Sequence, residues 1–287
     1  MTKRKRIDIG DLVIKIILIL FALICLIPFY YILMVSFSDP TKVKEGQVIL
    51  FPKGFSTAAY QMIFKDRKFY SGFVVSTMRT TLGMALGITV QCMLGYALSK
   101  KHLFGRKLFR RIVLFAVLFN GGIIPTYLTV CYTGIFDSIW ALVIPPVINP
   151  WNVIILMNFF SSIPESLEES AIIDGANDIT IFFKIAIPLS VPAIATIALF
   201  IAVFHWNSLM DGVIYINQSK LKPLQNYLID LVMRSSTQEM SGLVEQELPT
   251  LSIQTAAIFA STLPILVVYP FVQRYFVKGV MIGAIKE

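Results

Sequence analysis

The stretch "EESAIIDGANDITIFFKIAIPLS" (Glu168–Ser190) sets five charged residues and one glycine between two long apolar runs. Just upstream, "SSIPESLEES" has the grammar of a helix start. Ser162 is read as the N-cap and Glu165, three residues on, as its capping-box partner, while Pro164 falls in a first turn that needs no N–H from it. Glu165, Glu168 and Glu169 then lie at the positive end of the helix dipole. Gly175, after Asp174, supplies the break, because glycine accepts the left-handed conformation that ends a helix. A second helix, capped by Asn177 or Asp178, leads through Phe182, Phe183 and Ile185 to Pro188. The expected product is a short helix-turn-helix between spans.

A solvated connector needs none of this. Leu167, Ala171 and Ile172 form an apolar strip, and the small residues Ser170, Ala171, Gly175 and Ala176 let another backbone approach. That is the profile of a docking element for a partner protein. A helix lying on the lipid surface is the poorer reading, since its acids would face an anionic leaflet.

The surrounding chain is a membrane protein by composition. Of 287 residues, 56% are hydrophobic and 15% charged, against roughly a quarter charged in a soluble domain. Uncharged runs extend over 16–38, 80–99, 112–136, 138–164, 185–210 and 248–273. Each reaches the roughly 20 residues that a helix needs to cross hydrocarbon. They are continuously apolar rather than alternating, which selects helices over a barrel. We therefore expect an all-α polytopic membrane protein with one transmembrane domain and six spans, near 12–37, 73–99, 112–132, 138–160, 185–208 and 252–274. Loop 162–187 is expected in the cytoplasm, and loops 38–72 and 209–250 outside. The first run is too long for a signal-peptide core and lacks a small-residue cleavage site, so it reads as a retained span.

Orientation follows the short basic loops. Lys3, Arg4, Lys5 and Arg6 precede span one, and "KKHLFGRKLFRR" (100–111) separates spans two and three. Both termini are expected in the cytoplasm, and the net charge of +8 reads as topology, with no nucleic-acid footprint. Lys42, Lys44, Lys53, Lys65, Arg67 and Lys68 lie on the other side, interspersed with Asp39, Glu45 and Asp66.

Chemistry-bearing motifs are absent. There is no Gly-x-x-x-x-Gly-Lys-Ser/Thr phosphate loop, no Gly-x-Ser-x-Gly elbow and no His-Glu-x-x-His pair. Cys25, Cys92 and Cys131 lack metal or disulfide spacing and read as packing residues. No metal site and no catalytic residue are expected. Polar groups inside apolar runs are the candidates for a solute path: Asn120, Asn149, Asn152, His205, Trp206, Asn207 and Asp211, with Gln91 and Asn158 beside them. Arg79, near the outer end of span two, is compatible with an acidic solute. Gly83, Gly87 and Gly95 allow close helix approach, either within this chain or against a partner.

At the opening stretch the chain resembles the membrane permeases of binding-protein-dependent ABC importers. Their cytoplasmic EAA loop reads Glu-Ala-Ala, three residues, Gly, nine residues and Ile-x-Leu-Pro. Here Glu169-Ser170-Ala171, Gly175 and Ile185-Ala186-Ile187-Pro188 stand in those places, with Ser170 for Ala and Ile187 for Leu. "IPLSVPAIATIALFIAVFHWN" and "QRYFVKGVMIGAIKE" are similar to the second permease subunit of the maltose-transporter class, and "LFNGGIIPTYL" (118–128) to its LplC/YtcP subgroup, linked to complex oligosaccharides.

The resemblance implies a type I ABC importer permease fold. It makes Glu165 to Asp178 a coupling helix seated in a cleft of a cytoplasmic ATPase, with Glu169 pairing a basic residue there, Gly175 setting the bend and Ala171 and Ala176 packing. It further implies a second permease subunit, two copies of the ATPase carrying ATP and Mg, an extracytoplasmic solute-binding protein, and an oligosaccharide substrate, with fragments of uronate-containing polysaccharides in view. The setting would be a bacterial inner membrane. The rival readings are an ABC permease for a non-sugar solute, a secondary transporter and a membrane scaffold. A secondary transporter would show buried mid-span ionisable groups or paired broken helices.

Overall fold

The computed structural model describes residues 9–241 and 251–284, and among them all regular structure is helical. In chain order the helices are α1 (Ile9–Ser36), α2 (Pro40–Lys44), α3 (Ala58–Lys65), α4 (Arg67–Ser99), α5 (Arg106–Leu118), α6 (Ile123–Tyr132), α7 (Ile139–Val143) and α8 (Pro150–Ser161). There follow α9 (Glu165–Ile173), α10 (Asp178–Ile181), a π-helical turn (Phe182–Ala186), α11 (Ile187–Leu189), α12 (Val191–Asn207), α13 (Met210–Tyr215), α14 (Leu224–Ser241) and α15 (Leu251–Ala284). The basic residues 3–6 and Lys286 lie outside the described residues.

Two compact units emerge. One comprises the chain up to Arg67 with Leu228–Leu263, the other Lys68–Tyr227 with the chain from Pro264 onward. In the first, α1 exposes its apolar side chains nearly throughout, Phe21 and Ile24 among them. In lipid such exposure carries no penalty, because acyl chains are as apolar as leucine. Its C-terminal part packs within the unit: the Tyr30 hydroxyl donates to Leu50 O at 2.6 Å, Val35 meets Val43 and Val48, the Ser36 and Tyr60 hydroxyls share a 2.8 Å hydrogen bond, and just past the helix Phe37 stacks on Phe55. Within the stretch "FSTAAYQMIF" (55–64), α3 buries Ala59 and Ile63.

The second unit is organised by α4, 33 residues long and free of proline. Its glycines mark close approaches inside this chain. A Cβ on Gly83 would overlap the His205 ring, one on Gly87 would touch Ile201, and one on Gly95 would meet Leu156 at 3.0 Å. The packing alternative for this small-residue stripe is therefore the one observed. A core of Cys92, Tyr96, Leu156, Phe160, Ile181, Phe182, Ala186, Ile197 and Ile201 lies toward the far end of α4.

Among the described residues, three helical stretches are long and apolar enough to cross a membrane unbroken: Leu12–Ser36, Arg67–Ser99 and Leu251–Phe271. Two more expected spans are bent. The run 112–132 breaks by 117° between α5 and α6, and the segment Asp178–Leu189 meets α12 at 83°. Asn120-Gly121-Gly122 causes the first break: the Asn120 side chain accepts the Gly122 N–H at 2.9 Å, and Gly122 has φ +85°. The run 138–160 is divided between α7 and α8, because Pro145, Pro146 and Pro150 withdraw three backbone donors in six residues. Uncharged length alone could not show these interruptions.

Candidate functional site

The acid-rich segment folds as a helix, a bend and a second helix. α9 ends at Ile173 in a Schellman arrangement: Ala176 N–H donates to Ala171 O and Gly175 N–H to Ile172 O, both at 2.9 Å. Gly175 has φ +84° with open space around its Cα, so backbone conformation alone demands glycine. Asn177 caps α10 by accepting the Thr180 N–H at 2.8 Å.

The start of α9 differs from the capping box read in the sequence. Ser162 instead closes α8, donating its hydroxyl to Phe159 O at 2.7 Å, and Pro164 takes the N-cap position with no side-chain cap. α8 runs long enough to consume the serine. Downstream, Pro188 has no N–H for the Lys184 carbonyl four residues back, and the ladder widens: Ile187 N–H reaches Phe182 O instead.

The side chains of α9 differ in what they touch. Toward its own unit, Glu168 pairs with Lys100, Glu165 with Lys101 at 2.5 Å, and Ala171 and Ala176 pack against the core. The bound Lys101 ammonium holds the Glu165 carboxyl below the usual carboxylate range. His102 lies 3.9 Å from Asp178. On the open side, Glu169, Ile172 and Ile173 are exposed, Ile173 by 85%, and among the described residues Glu169 has no ion pair. Asp174 is exposed, and the Ser170 hydroxyl turns back to Ser166 O.

The candidate path residues do not gather at one place. Asn120 shapes the α5–α6 break, and Asn149 caps α8 by accepting the Trp151 and Asn152 N–H groups at 3.0 and 3.4 Å. Asn152 is buried, Asn158 and Asn207 are exposed, and Gln91 donates to Val147 O at 2.8 Å. His205 is 1% exposed against Gly83. Trp206 sets its edge against Phe73 and borders a cavity of about 300 Å³ lined also by Thr77, Thr80, Leu199 and Pro264. Asp211 forms a two-pronged pair with fully buried Arg79, whose Nη1 also donates to Ser208 O at 3.3 Å. Arg79 is thus already neutralised from within the chain.

Sequence reading missed the partners of α9. Lys100, Lys101 and His102 were counted as topology, whereas here they face acids one by one; Arg106 and Arg110 likewise donate to the Leu98 carbonyl at the end of α4. The available signal was the match of "KKH" to the acids spaced along 165–178. Among the described residues no group of three or more His, Cys, Asp or Glu could hold a metal ion.

No family model matches the chain. It is 44% identical over 279 residues to the polygalacturonan/rhamnogalacturonan transport system permease protein YtcP of Bacillus subtilis, covering 96% of this chain and 98% of that one. The chain belongs to the permease subunits of sugar ABC importers. Protein LplC of the same bacterium is 42% identical, with 92% of this permease and 90% of the relative covered. The crystal structure of a bacterial ABC transporter that imports the acidic polysaccharide alginate contains a chain that superposes with TM-score 0.86 at 33% identity, covering 96% and 99%. The permease is accordingly an all-helical, multi-pass protein of the bacterial inner membrane and a transport subunit rather than an ATPase.

Proposed function

We propose that this permease moves oligosaccharides released from uronate-containing polysaccharides, driven by ATP hydrolysed on two cytoplasmic ATPase subunits that carry the ATP and Mg. In this reading the chain crosses the membrane six times with both termini in the cytoplasm and pairs with a second permease subunit. It receives its sugar from an extracytoplasmic binding protein. The relative named for polygalacturonan/rhamnogalacturonan and the alginate importer both handle acidic polymers, which supports an acidic sugar.

The observation that carries the mechanism is how the side chains of α9 divide by contact. Glu165 and Glu168 are held by the chain's own bases, while Glu169, Ile172 and Ile173 are left open beside the Gly175 bend. An exposed apolar and acidic patch on a fixed helix suits a cleft with a basic residue at its rim. Closure of the ATPases would then displace α9 as a body and change which side of the membrane the path faces.

Two variants and one uptake comparison test this. Glu169→Lys should abolish co-purification of the ATPase, and Gly175→Val should keep membrane insertion while uptake falls by about an order of magnitude, as expected when coupling of 1–3 kcal/mol is lost. Normal uptake by both would remove the assignment of α9. In proteoliposomes, oligogalacturonides should be taken up in preference to neutral malto-oligosaccharides; equal uptake would overturn the acidic-sugar reading.

A further inference from the structure

Lys100 stands immediately beyond the end of α4, and its ammonium is held from two sides. It pairs with Glu168 of α9, and it lies 4.1 Å from the ring centroid of Tyr96, one turn back on α4. The two charged side chains are only 11% and 19% exposed, unlike the Lys101–Glu165 pair at 76% and 65%. Tyr96 in turn packs edge-on to Phe160, at the end of α8, and 4.9 Å from Phe182, at the start of the π turn. Lys100 and Tyr96 therefore grip the segment just before α9, α9 itself and the segment just after it.

Besides the packing of Ala171 and Ala176 against the core, two routes lead from α9 to the other helices of the second unit. The covalent one runs through α10, then a π-helical turn and an 83° break before α12, two places where the backbone ladder is irregular. The other runs through Lys100 into α4, a continuous helix whose end carbonyls are taken by Arg106 and Arg110. A soft path and a stiff path in parallel transmit a displacement chiefly through the stiff one.

We propose that Lys100 is the positioning residue that converts movement of α9 into movement of α4, the Lys100–Glu168 contact being the mechanical joint. This rests on the reading of α9 as the ATPase-coupling helix. It assigns the two neighbouring glutamates separate tasks: Glu169 faces the ATPase and Glu168 faces the permease's own lever.

The test uses the complete importer in proteoliposomes, with wild-type-transported oligogalacturonides as the probe, and reads sugar moved per ATP hydrolysed. Lys100→Met should lower that ratio about five- to tenfold, the size of a modest inter-site coupling, while the ATPase still co-purifies. Glu168→Gln should give the same loss from the other side. Lys100→Arg, and the exchange Lys100→Glu with Glu168→Lys, should recover most of it. Lys101→Met should change the ratio less than about twofold, because an exposed pair is screened. A wild-type ratio in Lys100→Met or Glu168→Gln overturns the proposal, as does a loss that neither Lys100→Arg nor the exchange recovers. Failure of the underlying reading looks different: Glu169→Lys would then leave co-purification and uptake intact.

Discussion

Two ion pairs tie helix α4 and its C-terminal flank to distant segments, and the two are unlike. Twelve residues into the helix, Arg79 is fully buried and bound through both terminal nitrogens to Asp211. Beyond its end, Lys100 meets Glu168 at a partly open surface. Each joins α4 to a segment far along the chain, yet burial changes what the pair does. A buried pair is costly to break, because removing one partner strands the other charge away from water. A pair at the surface contributes little to stability but still fixes a distance. The first pair is suited to locking, and the second to transmitting a movement.

This contrast can be broken experimentally, beginning with the buried pair. Asp211→Ala should destabilise the permease by about 3–5 kcal/mol, read as a fall in thermal stability in detergent, because Arg79 is left uncompensated. Arg79→Met combined with Asp211→Leu should restore much of that loss. If Asp211→Ala melts like the wild type, the two pairs do not differ in the way described.

Next in size is the seam between α4 and α12. Gly83→Ala would drive a methyl into the His205 ring and should cost about 1–3 kcal/mol by overpacking. Adding His205→Ala should relieve it, and strictly additive losses in the double variant would show that the two residues do not touch. Smaller still is the cap of α8: Asn149→Ala should cost about 1 kcal/mol, with Asn149→Asp close to neutral. A large loss of uptake from Asn149→Ala at unchanged stability would move Asn149 from capping to the solute path.

The smallest effect concerns Asp137, at the turn before α7. It has φ +55°, and its carboxylate accepts the Asn217 and Gln218 N–H groups at 2.8 and 3.0 Å. Those bonds, Gln218's first, hold its carboxyl below the ordinary value of 3.8. A depressed carboxylate contributes stability that is present above its unfolded pKa and lost as pH falls through the folded one. Hydrogen exchange at Asn217 and Gln218 should therefore show protection unchanged from neutral pH down to about 5, with loosening only in stronger acid. Asp137→Ala should speed that exchange at neutral pH, whereas Asp137→Asn should retain part of the protection.

Much of the acid-rich segment is legible because its signals are local. The Asp174-Gly175 break and the Asn177 cap depend on backbone chemistry within a few residues, and the helices fall where that chemistry puts them. Ser162 was misread because two adjacent helices compete for one serine, and a pattern inside one helix cannot settle that competition. Span continuity was overestimated for a similar reason. Hydropathy counts charges, but the runs 112–132 and 138–160 are interrupted by Asn-Gly-Gly and by prolines, which carry none.

A helical membrane protein, an acid-rich element bent at Gly175 and the marks of an ABC permease can all be read from the residues alone. Those properties follow from apolar run length and from short-range backbone preference, and both are written along the chain. Which base meets which acid emerges from the folded arrangement, where Arg79 answers Asp211, Lys100 answers Glu168 and the glycines of α4 serve contacts within this chain. Charge pairing over 68 or 132 residues depends on how helices pack, and that packing has no local signature.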